Sequence, residues 1–110
     1  MPTIIEYAEN PPILRCAGEE DRMTQSLRRR ALTRAFAAQA DLVVDLSELI
    51  FADTSLVLDL AVLSRRLRRR GRKLLLHAPQ PQVWMVIEMC GLHRLPGVRF
   101  DGPAPTAATA

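Results

Sequence analysis

The sequence predicts an α/β fold: a small mixed β-sheet of four to five strands with three helices largely on one face. Three observations carry that prediction. Short aliphatic runs alternate with longer segments of helical spacing, in the order strand, helix, strand, helix, strand, helix. The 110 residues suffice for one domain burying about two thirds of its unfolded surface, so neither metal nor disulfide is needed. Apolar residues make up 48% of the chain, which excludes disorder throughout, and with only three Phe, one Trp and one Tyr the core must be aliphatic.

Taken in order, Ile4 to Tyr7 reads as a short strand, and Pro11-Pro12 punctuates it. Ile13 to Ala17 reads as a second strand, closed by Gly18. Glu19-Glu20-Asp21 forms a loop, and Thr24 or Asp21 supplies the cap of a first helix. From Thr24 to Gln39 that helix places Leu27, Ala31, Leu32, Ala35 and Phe36 at helical spacing. Arg28, Arg29, Arg30 and Arg34 are expected mainly on its other sides, as a solvated face.

Leu42 to Leu46 is a buried-strand pattern that Ser47-Glu48 breaks, and Leu49-Ile50-Phe51 is a second apolar group. Asp53-Thr54-Ser55 is a helix-entry signal, because each side-chain oxygen can accept from an unpaired backbone N–H. The second helix runs from about Ser55 to Arg70, with Leu56, Leu60, Leu63 and Leu67 along one stripe. Arginines crowd its last turns, where cations complement the helix dipole, and Gly71 is a natural stop. Lys73 to His77 is a further strand. Gln82 to Gly91 is a third helix, with Val83, Val86, Ile87 and Cys90 on one face. Val98 to Phe100 fits an edge strand. Residues 1–101 are expected to form a single domain, with a disordered Pro, Ala and Thr tail over 102–110.

Charge is clustered rather than large. Fifteen basic residues against twelve acidic give +3, too small an excess to imply nucleic acid by itself. The basic runs at Arg28–Arg30 and Arg65–Lys73 lack interleaved aromatics, so a solvated surface is the favoured reading and RNA binding the lesser one. Cys16 and Cys90 lie far apart, with no metal-ligand spacing, and reduced thiols in a cytoplasmic protein are the expectation. No apolar run approaches a membrane span. His77 has no partner at catalytic spacing. Trp84 and Met85 read as core, with Trp84 a lesser candidate for a partner anchor.

The central block runs Leu42-Val43-Val44-Asp45-Leu46-Ser47, then Ile50-Phe51-Ala52-Asp53-Thr54-Ser55, then an aliphatic helix to Gly71, then Leu74-Leu75-Leu76-His77-Ala78-Pro79. Together with Gly18-Glu19-Glu20-Asp21 and Cys90-Gly91-Leu92, it resembles the STAS domain of anti-sigma factor antagonists, over about residues 11–101. One departure is Leu56, where the family carries Gly after its hydroxyl pair.

The resemblance implies a regulatory module and not an enzyme. Its partner would be an anti-sigma factor with serine-kinase activity, and phosphorylation at a helix start would end the binding. ATP and magnesium would belong to the kinase, and no cofactor or metal is expected on this chain. Ser55 is the expected acceptor and Thr54 the second; Asp21, Asp53, Ser55 and Leu56 are the expected partner contacts. On spacing alone, Asp53-Thr54-Ser55 fits an ordinary helix cap better than a phosphorylation site. A STAS module that takes no phosphate, with Leu56 narrowing access, is the alternative within the same fold.

Overall fold

The computed structural model describes residues 4–19 and 25–101. Five strands form one mixed sheet in sequence order: β1 (Ile4–Glu9), β2 (Pro12–Glu19), β3 (Leu42–Phe51), β4 (Leu74–His77) and β5 (Val98–Asp101). β1 runs antiparallel to β2, and every later neighbour is parallel. A parallel step needs a crossover, and α1 (Gln25–Phe36), α2 (Thr54–Arg69) and α3 (Pro81–Cys90) supply the three. The edges are thus β1 and β5, as expected for Val98 to Phe100. The tail 102–110, Asp21 and the Thr24 cap candidate lie outside the described residues.

Alternation along the strands sorts the two faces. Leu14, Cys16, Leu42, Val44, Leu46, Leu49, Leu74, Leu76 and Val98 point inward and are buried under the helices. Val43, Asp45, Leu75 and His77 occupy the other face and are half-buried. The helices meet this core with Ala31, Leu32 and Ala35 from α1, Leu56, Leu60, Leu63 and Leu67 from α2, and Val83 and Ile87 from α3. Leu92, in a 3-10 turn over Leu92–Arg94, closes it. Trp84 is half-buried, edge-on to His93 and Phe100.

β3 differs from its expected form. It continues through Ser47-Glu48 as one strand of ten residues. The register with β2 moves from Arg15↔Asp45 to Ala17↔Glu48, so β3 carries an extra residue there. Asp45 Oδ1 accepts from the Ser47 amide at 3.0 Å and from the Ser47 hydroxyl at 2.7 Å, which stabilises the bulge. The polar pair that looked like a strand end is therefore a bulge within one strand. It lets Leu46 and Leu49, three apart, both face the core.

Glycines with positive φ mark the stops where the sequence placed them. Gly71 (φ +72°) follows α2, and Gly91 (φ +77°) caps α3. α2 itself is closed by cations: Arg66, Arg68 and Arg69 occupy its last turn. Arg70 reaches back to donate to the carbonyls of Phe36 and Ala38, and the Arg66 guanidinium lies 4.4 Å from the Phe36 ring centre. Those two arginines tie the C-terminal ends of α1 and α2 together. Arg65, Arg68 and Arg69 line a shallow surface hollow.

Candidate functional site

The chain leaves β3 at Phe51, buries Ala52, and turns into α2 at Asp53. Asp53 has extended backbone (φ −83°, ψ 170°), the geometry that lets an N-cap side chain fold over the first turn. Its Oδ1 accepts from the Leu56 amide at 3.1 Å and from the Ser55 hydroxyl at 2.7 Å. Partial burial pushes the Asp53 carboxyl up. The bonds from Ser55 and Leu56, together with the Arg28 charge, outweigh that and hold it below the usual carboxylate range. Asp53 is therefore an anion at neutral pH, and the cap is charge-assisted.

Ser55 is bonded on both sides. Its Oγ donates to Asp53 and accepts from Arg28 Nη2 at 3.3 Å. A hydroxyl oxygen has one proton and two lone pairs, so one lone pair is left for a third partner. Ser55 is half-buried, whereas Thr54 beside it is exposed. Ser55, Leu58, Asp59 and Val62 follow one another on one face of α2. Leu58 is 57% exposed and Val62 44%, so an apolar strip continues from the hydroxyl along the helix. α3 packs beside α2 and leaves Met85 and Met89 uncovered at the same i, i+4 spacing.

Two expectations are corrected here. Leu56 was expected to touch a partner and narrow access, but its side chain is 1% exposed and belongs to the core. It opens the same stripe as Leu60, Leu63 and Leu67, which turns it inward, so at the surface it offers only backbone. Arg28 was expected on a solvated face. It is 5% exposed, and its Nε lies 3.1 Å from Asp59 Oδ2. The missed signal was in the spacing: Arg28, Ala31, Leu32 and Ala35 stand at i, i+3, i+4 and i+7, all on the buried stripe of α1. Arg29 and Arg30 are exposed, as expected.

The remaining candidates lie apart from this cluster. Asp45 and His77 pair across β3 and β4 on the helix-free face of the sheet. There Arg15 forms ion pairs with Glu48 and, at 3.7 Å, with Glu6. Partial burial raises the Asp45 carboxyl, but the Ser47 bonds and the His77 and Arg15 charges bring it below the usual range. No group of three or more His, Cys, Asp or Glu among the described residues could hold a metal ion. No helix among them is long and apolar enough to cross a membrane.

A five-stranded mixed sheet with one face covered by three helices, and a hydroxyl-bearing α2 start held by a carboxylate, defines a small mixed α/β domain with a polar helix entry at its surface. The STAS domain family matches residues 4–108, and the chain belongs to that family. Among solved structures it is similar to the anti-sigma factor antagonist SpoIIAA in its unphosphorylated form. There the TM-score is 0.69 at 23% identity, covering 92% of this chain and 89% of that one. It is also similar to RsbS of Moorella thermoacetica carrying a Ser-to-Glu substitution, with TM-score 0.63 at 21% identity over 94% of this chain and 89% of that one. No curated protein matches the sequence.

Proposed function

We propose that this chain is an anti-sigma factor antagonist that works by partner switching. Unmodified, it binds an anti-sigma factor with serine-kinase activity; phosphorylation of Ser55 ends the binding. The carrying observation is the Ser55 hydroxyl in the first turn of α2, oriented by Asp53 and Arg28 and continued by the exposed Leu58 and Val62. The two similar structures support this reading, one being an anti-sigma factor antagonist in its unphosphorylated form and the other a Ser-to-Glu variant.

The physics of the switch is local. Phosphoryl transfer from the kinase's ATP forms an Oγ–P bond, breaks the bond to the leaving ADP oxygen and releases the Ser55 proton. The product carries about −1.5 to −2 charge where the domain offered a neutral hydroxyl. A partner seated on Leu58 and Val62 would have to desolvate that charge, so the complex dissociates without any refolding. In this mechanism the chain is a substrate and a ligand; ATP and its magnesium come with the kinase.

Incubation with ATP and the cognate kinase, followed by mass analysis, is the direct test. One phosphate on Ser55, absent from Ser55→Ala, is the expected result. Equal labelling of Ser55→Ala would move the acceptor to the exposed Thr54. Tight binding with no label would instead support a STAS module that takes no phosphate, which the two-sided bonding of the half-buried Ser55 favours as the second reading.

A further inference from the structure

We propose that Arg28 is the positioning residue of Ser55 and becomes the counter-ion of its phosphate, giving up Asp59 to do so. The inference rests on the reading of Ser55 as the modified residue and adds a role for α1 to it. Arg28 projects from the inward face of α1 and bridges two residues of α2, with Nη2 on Ser55 Oγ at 3.3 Å and Nε on Asp59 Oδ2 at 3.1 Å. Among the described residues it is the cation that reaches the hydroxyl.

The local charges make such a cation necessary. A phosphate on Oγ would stand between Asp53, 2.7 Å from that oxygen on one side, and Asp59 one turn along the helix. Two carboxylates oppose a dianion there, and the partial positive charge of the helix start is small beside them. A planar guanidinium matches phosphate oxygens with paired N–H bonds. Arg28 is already stripped of water and fixed in place, so it loses little further freedom in making them. Asp59 is the partner that can be released, because its side chain is 40% exposed and water can take over its charge. The phosphorylated domain would then keep α1 and α2 tied together, with the new charge held at the α1–α2 groove. Arg28, Arg29, Leu32, Thr33, Phe36 and Asp59 line that groove.

The test installs phosphoserine at position 55 of the full chain by genetic encoding and follows its ionisation by phosphorus NMR against pH. An unstructured phosphoserine has its second pKa at about 6. Arg28→Gln should raise the protein's value by about one unit, because a facing cation favours the dianion. Asp59→Asn, which removes the competing anion, should lower it. Both variants leave the helix terminus unchanged, so the dipole contribution cancels from the comparison. Identical titrations for wild type and Arg28→Gln, or no downward move in Asp59→Asn, would overturn the proposal. Should Arg28→Gln fail to fold by circular dichroism, Arg28→Met replaces it as a neutral side chain of similar length suited to the buried stripe, with the same rise expected and an unchanged titration overturning the proposal. Encoding the phosphate bypasses the kinase, so failure of labelling at Ser55 would sink the partner-switching reading and leave this measurement readable.

Discussion

The two ends of α2, about 24 Å apart for sixteen residues, carry opposite designs. At the start, an anionic cap, a serine hydroxyl and a buried arginine form one bonded set. At the finish, seven cations between Arg65 and Lys73 stand exposed. Two of them, Arg66 and Arg70, fasten α1. Both ends obey the helix dipole, anion first and cations last. The difference lies in how much depends on one atom. In the proposed switch a phosphate on Ser55 rearranges the contacts at the start, whereas adding or removing one of the other arginines at the finish changes a solvated crowd by one member.

The largest contrast is expected in partner binding. Ser55→Glu should weaken the proposed anti-sigma factor complex by about 30-fold or more, corresponding to about 2 kcal/mol for a new charge carried into an interface. Arg69→Glu at the far end should change it by less than about 2-fold, the modest effect expected of a charge on an interface rim or beyond it. Titration calorimetry of both variants checks the pair, and equal losses would mean that the partner covers the whole helix.

Stability should separate the ends next. Asp53→Ala removes the cap and should cost about 1–2 kcal/mol in urea unfolding. Arg69→Ala should stay within about 0.5 kcal/mol, as exposed substitutions usually do.

Acid sharpens the same contrast with a definite sign. The folded state holds the Asp53 and Asp45 carboxyls below their ordinary range, so the unfolded chain binds more protons as pH falls. Their contribution is fully present above the unfolded value of about 3.9 and is lost as pH drops through the lower folded values. Asp53→Asn should therefore flatten the acid limb of the stability curve, and an unaltered limb would remove Asp53 from it. The smallest effect is expected from salt. Raising it screens the exposed arginines and should shift wild-type stability by only a few tenths of a kcal/mol.

Much of this was legible without coordinates. The αL glycines at 71 and 91, the leucine stripe of α2 and the Asp53 cap follow from spacing and residue type, because each is a local preference of a few neighbouring residues. Ser47-Glu48 misled because a bulge and a strand end share the same polar signature, and only the register against β2 tells them apart. Leu56 misled by position. It sits next to the hydroxyl pair in the chain but a third of a turn away around the helix, on the core side.

Sequence alone determined the order of elements, the aliphatic core and the hydroxyl at the mouth of α2, since hydrophobic period and capping chemistry act within a few residues. Only the tertiary structure decided that Arg28, 27 positions before Ser55, is bonded to it. A charged residue on a helix is ordinarily solvated. What reverses that here is the packing of α1 against α2, which supplies Asp59 and Ser55 as partners in place of water, and no local stretch of chain contains that pairing.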